Sequence, residues 1–100
     1  MVVVTERAAQ ALRAILDRMN TQQGQCLRLA AIGNNRVGLT MDVQRFGDDV
    51  VRHEDRTVLV LDRRTSRVLD GVKLKYGGTR TDGGFTLLRK AKKNEKRAQR

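Results

Sequence analysis

Thr57-Val58-Leu59-Val60-Leu61-Asp62-Arg63-Arg64-Thr65-Ser66-Arg67-Val68-Leu69-Asp70-Gly71-Val72-Lys73-Leu74-Lys75-Tyr76 contains three different hydrophobic patterns in a row. The first five residues are an almost unbroken apolar run, which predicts a central strand. Between Asp62 and Asp70 the only large apolar residues are Val68 and Leu69, which suits a short helix ended by Gly71. Val72, Leu74 and Tyr76 then alternate with Lys73 and Lys75, the period of a strand with one wet face. A strand, a short helix and a strand within twenty residues point to an α+β domain.

Upstream of this stretch, Thr5 is a candidate N-cap, and Ala8, Leu12, Ile15, Leu16 and Met19 follow at helical spacing. Arg7, Arg13, Asp17 and Arg18 occupy the opposite face, so one amphipathic helix of about 15 residues is expected. From Cys26 the period becomes two. Leu27, Leu29 and Ala31 predict a half-buried strand, and Val37, Leu39, Met41 and Val43 a second one, separated by the turn residues Gly33-Asn34-Asn35-Arg36. Val50 to His53 makes a short third strand, and Glu54-Asp55 turns it into the central run. Downstream, residues 77–84 read as loop and Phe85-Thr86-Leu87 as a closing strand.

The set Val60-Leu61-Asp62, Ser66, Val68-Leu69-Asp70-Gly71, Leu74, Tyr76 and Gly84-Phe85-Thr86-Leu87 resembles the second half of the A-type iron–sulfur carrier family (HesB/IscA-like). Thr5-Glu6-Arg7-Ala8-Ala9 and Leu27-Arg28-Leu29 are similar to its first half, so the likeness covers roughly residues 2–88. It implies a small, mainly β HesB/IscA-like domain with one N-terminal amphipathic helix and one short helix. In that family three cysteines hold iron or a [2Fe–2S] cluster, because such centres need soft thiolate ligands. Aligning the glycines puts Arg36, Lys96 and Ala98 at those three positions, and none is a thiol. A guanidinium or an ammonium repels iron and has no lone pair to give. The resemblance therefore implies the fold without the cluster, and no cofactor or metal ligand set is expected.

The chain has 100 residues, enough for one small domain, and 21 Lys and Arg against 11 Asp and Glu give a formal charge of +10. No apolar run is long enough to span a bilayer, and Met1-Val2-Val3-Val4-Thr5-Glu6 does not read as a signal peptide. A single cysteine builds no disulfide framework, so a cytoplasmic, reducing location is expected. The charge is uneven: residues 89–100 hold seven basic residues and one acidic, whereas residues 1–88 hold fourteen and ten. The tail has no apolar side chain larger than alanine, and Lys92/Lys96 and Lys93/Arg97 are like-charge i,i+4 pairs. It is expected to be disordered in isolation and to order against a polyanion. The domain boundary falls at residue 88.

No enzyme signature emerges. His53 has no second His or Cys beside it and reads as a solvated strand-end residue; Cys26 reads as a small buried hydrophobe. The glycine pairs lack phosphate-loop spacing, and Asp42, Asp48, Asp49, Asp62, Asp70 and Asp82 are scattered. Basic residues are the remaining candidates for function. Arg89, Lys90, Lys92, Lys93, Lys96, Arg97 and Arg100 of the tail are expected to contact nucleic acid, supported by Arg63, Arg64 and Arg67 on the short helix. Tyr76 and Phe85 fall at core-like positions, which leaves little to stack on bases and favours backbone contacts to folded or double-stranded RNA or DNA. The expected function is a non-enzymatic binding protein, associated with ribosomal RNA or the ribosome. The alternatives are an adaptor in iron–sulfur cluster assembly that binds a carrier or client protein, and a carrier using Cys26 across a dimer.

Overall fold

The computed structural model describes residues 1–31, 37–77 and 84–88. In chain order the described elements are β1 (Val3–Val4), α1 (Glu6–Arg18), β2 (Gln25–Ala31), β3 (Val37–Val43), β4 (Asp49–His53), β5 (Arg56–Leu61), α2 (Arg63–Val68), β6 (Lys73–Tyr76) and β7 (Phe85–Leu88). The tail, residues 89–100, and the turn residues Gly33 to Arg36 lie outside the described residues.

Two sheets share one core. The first has the order β3-β2-β5-β4, with β2 and β5 parallel and both outer pairs antiparallel. β5 is interior to this sheet, and Val58, Leu59, Val60 and Leu61 are fully buried, as its continuous apolar run requires. β4 and β5 are joined through Glu54 and Asp55, both at positive φ (50° and 72°), the backbone that a two-residue hairpin matched to strand twist needs. The second sheet has the order β1-β6-β7. β1 was not anticipated: its two residues pair in parallel with β6, Val3 opposite Lys73, a contact 70 positions away that no local pattern announces.

α1 closes the core. Thr5 caps it, its Oγ1 accepting the Ala8 N–H at 3.1 Å, and Ala8, Ala9, Leu12 and Leu16 are buried. The helix is shorter than its pattern: it ends at Arg18, Met19 is its C-cap, and Met19 is exposed where the helical spacing had placed it on the core face. Three polar ties hold α1 to the β4–β5 hairpin: Arg13 to Glu54 (3.2 Å), Arg56 to Asp17 (2.8 Å) and His53 Nε2 to Glu6 (3.2 Å). The last of these corrects the reading of His53 as solvated: its side chain is 11% exposed because α1 packs over the strand end.

Leu74, Phe85 and Leu87 are buried on the inner face of the second sheet, joining Leu27, Leu29, Leu59, Leu61, Leu69 and Val72 in one cluster. Tyr76 is not in it. Its ring is tilted against Phe85, centroids 4.8 Å apart, but remains 39% exposed at the end of β6, which corrects its core assignment.

Candidate nucleic-acid interface

The sequence nominated α2, and the structure explains why α2 presents its arginines. Asp62 caps the helix by accepting the Thr65 N–H at 2.7 Å; that bond, and then the Thr65 hydroxyl, hold its carboxyl below the usual carboxylate range. Leu69 just beyond the helix is fully buried, and Ser66 is buried with its hydroxyl donating to Asp49. Gly71, at φ +78°, ends the turn as expected. With Ser66 and Leu69 anchored inward, Arg63, Arg64 and Arg67 are left exposed. Arg63 and Arg67, at i and i+4, line a cleft of about 300 Å³ with Met1, Asp49, Ser66 and Asp70.

The two carboxylates of this cleft are already engaged. Asp49 accepts from Ser66, and Asp70 pairs with the Met1 ammonium, which holds the Asp70 carboxyl below its ordinary value. The same holds for most other carboxylates of the described domain. Glu6 meets His53, Asp17 meets Arg56, Glu54 meets Arg13, and Asp62 caps α2. Arg7, Arg18, Arg63, Arg64, Arg67, Lys73 and Lys75 have no carboxylate partner among the described residues. The charge left over is cationic.

Asp42 and Asp48, read as scattered, in fact converge on Arg28. The Arg28 guanidinium donates to Asp42 Oδ2 (2.6 Å) and to both oxygens of Asp48 (3.0 and 2.7 Å) on the outer face of β2. These bonds hold both carboxyls below their usual range, and the Arg28 proton is held still more firmly than in a free guanidinium. Asp42 lies opposite Cys26 in the β2–β3 ladder, so sequence alternation alone does not bring it to Arg28; the neighbouring strand does. The effect is to pull the Gln44–Asp48 segment back over β2, which leaves Phe46 fully exposed at its tip.

No group of three or more His, Cys, Asp or Glu capable of holding a metal ion occurs among the described residues. Nor do the residues fit an iron–sulfur cluster. Cys26 is 1% exposed, and burial pushes its thiol up from the ordinary value, the opposite of what a thiolate ligand needs. Arg36, Lys96 and Ala98, which the family resemblance puts at the cysteine positions, lie outside the described residues and bring no sulfur. A second, polar cleft of about 460 Å³ is lined by Gln22, Gln25, Gln44, Arg52 and Arg56 among others. Its guanidinium groups are occupied, Arg56 by Asp17 and Thr21 and Arg52 by the Asp55 carbonyl. The proposed tail contacts Arg89, Lys90, Lys92, Lys93, Lys96, Arg97 and Arg100 lie outside the described residues. No described helix is long and apolar enough to cross a membrane.

No family model matches the sequence, and no curated protein matches it significantly. Solved structures do match the fold. The crystal structure of Escherichia coli SufA, a protein involved in the biosynthesis of iron–sulfur clusters, aligns with a TM-score of 0.60 at 18% identity, over 86% of this chain and 82% of that one. The solution NMR structure of a protein from Aquifex aeolicus aligns with a TM-score of 0.65 at 21% identity, over 87% of this chain and 89% of that one. The expected α+β, HesB/IscA-like fold is the fold observed.

Proposed function

We propose that this chain is a non-enzymatic, cytoplasmic binding protein in which a HesB/IscA-like domain engages RNA, most naturally ribosomal RNA, through cationic side chains. The observation that carries the reading is the asymmetry of pairing. Most of the described carboxylates are taken up by caps and ion pairs, Asp49 by a hydroxyl, whereas Arg63, Arg64 and Arg67 are exposed without carboxylate partners among the described residues. Unneutralised arginines bind phosphates and release the counterions condensed on them. A chain of +10 adds long-range attraction for a polyanion. In this reading Arg89, Lys90, Lys92, Lys93, Lys96, Arg97 and Arg100 supply further phosphate contacts from the tail.

The test is co-sedimentation with ribosomes and with isolated RNA across a salt series. The full chain, its R63Q/R64Q/R67Q variant and a chain ending at Leu88 are compared. Log affinity should fall with log salt by about 0.7–0.9 per phosphate contacted, and both changes should flatten the slope. An unchanged slope in the truncated chain would move the site onto the domain. Absence of binding by the full chain at low salt would remove the reading.

A second reading is favoured by the likeness to SufA: an adaptor in iron–sulfur cluster assembly that binds a carrier or client protein without itself holding a cluster. Its mark would be a carrier protein that co-purifies with the chain in place of RNA.

A further inference from the structure

Phe46 stands fully in solvent, and its loop is built to keep it there. The Asp48 N–H donates to the Arg45 carbonyl at 3.1 Å, closing a tight turn with Phe46 and Gly47 at its centre. Gly47 has φ +89°, the left-handed third position that such a turn reserves for glycine. Both ends are fixed from beneath. Asp48 is gripped by Arg28 and also accepts the Arg45 N–H at 2.7 Å; the Val43 carbonyl accepts from Arg28 at 3.3 Å, and the Val43 N–H donates to Asp42. The turn therefore holds its shape without any support from the phenyl ring.

Two guanidinium groups stand beside the turn that carries the ring. Arg45 precedes it, with a side chain two-thirds exposed and tied to Asp42 at 3.0 Å. Arg63 approaches the turn from α2: its Nη2 lies 3.8 Å from where a Cβ on Gly47, the residue after Phe46, would be. An open aromatic face with guanidinium groups beside its turn suits an unpaired base, with the ring stacking on the base and the arginines meeting the adjoining phosphates.

We infer that Phe46, with Arg45 and Arg63, is a stacking platform for an unpaired base of RNA, which makes the preferred ligand a single-stranded or bulged segment and not a continuous duplex. This rests on the RNA-binding reading above and specifies its ligand. Because the turn that carries Phe46 is fixed before binding, little backbone ordering entropy opposes the stack.

The test uses the full-length chain and its F46A and F46W variants. The ligands are a single-stranded RNA of about twelve nucleotides carrying 2-aminopurine and a duplex of the same length. Phe46 has no packing role, so the variants should keep the parent thermal midpoint, which is checked first. The parent should bind the strand about tenfold more tightly than F46A and quench the 2-aminopurine on binding. F46A should lose the quenching, F46W should restore it, and all three should bind the duplex alike. Equal affinity of parent and F46A for the strand, with the salt dependence intact, would overturn the platform and leave RNA binding standing. Failure of the parent to bind either RNA would overturn both. Loss by F46A of binding to anionic phospholipid vesicles, with RNA binding unaltered, would overturn the platform and assign Phe46 to a membrane surface.

Discussion

Arg28, in the middle of β2, holds Asp48, twenty residues later in the chain, through two hydrogen bonds of 3.0 and 2.7 Å. The Asp48 side chain is only 4% exposed and that of Arg28 16% exposed, so this pair, with the adjoining Arg28–Asp42 pair, is shielded from solvent in a way that the Arg13–Glu54 and Arg56–Asp17 pairs are not. It fixes the segment between β3 and β4 and, through it, the direction in which Phe46 points.

Replacement of Arg28 by alanine should therefore destabilise the domain more than any surface charge change. It leaves Asp48 buried with only the Arg45 N–H as donor and frees the loop. A loss of about 2 kcal/mol is expected, read as a lower urea midpoint at unchanged m-value. R13A, which breaks an exposed pair, should cost less than about 0.5 kcal/mol.

The same network sets an acid limit. Asp42 and Asp48 titrate below their ordinary range in the folded state because Arg28 hydrogen-bonds their ionised forms. A depressed folded value means that the unfolded chain binds protons first on acidification. The stabilisation is thus complete above the ordinary carboxylate value of about 3.9 and is lost as pH falls from there through the folded values. Urea midpoints measured from neutral pH downwards should drop steeply below about pH 4 in the parent. They should drop less in R28A, which has already lost the contribution.

Cys26 should behave as core and not as a ligand. It is buried at the start of β2, and burial raises its thiol pKa, so little thiolate forms at neutral pH. Labelling by a disulfide reagent should be slower in the native protein than in denaturant by a factor on the order of a hundred, rising with the fraction unfolded. Fast native labelling would revive the carrier reading that uses Cys26 across a dimer.

Gly84 lies against Tyr76. Its φ is +88°, and a Cβ there would stand 2.9 Å from Tyr76 Cε1, inside contact distance, with the Gly77 N–H donating to its carbonyl at 2.9 Å. G84A should cost about 1–2 kcal/mol through both backbone strain and displacement of the ring. A smaller near-ultraviolet tyrosine signal should accompany the lower thermal midpoint.

Local periodicity carried much of the architecture. The uninterrupted run at Val58–Leu61 belongs to a strand buried on both faces, and the alternation at Val72–Tyr76 to one wet on one side. Thr5 and Gly71, read as a helix start and a helix stop, cap and end their helices. Each depends on a residue and its near neighbours, so each is legible in one dimension. β1 was not, because two valines become a strand only when β6 offers them a ladder.

The candidate site divides along the same line. That Arg63, Arg64 and Arg67 share a short helix, and that the chain is strongly basic, followed from the sequence alone. Which charges remain free did not. Asp42 and Asp48 are used up by Arg28, and Asp70 by the amino terminus 69 residues away, through contacts that exist only once the sheets have formed. Phe46 shows the limit most clearly. In the sequence it is an aromatic residue before a glycine; in the fold, a guanidinium on a neighbouring strand pulls its loop down and turns the ring outward. Sequence determined the elements and the net charge, which are local or additive quantities. Tertiary structure decided pairing and exposure, because a charge or an aromatic ring acquires its environment from residues that are distant along the chain.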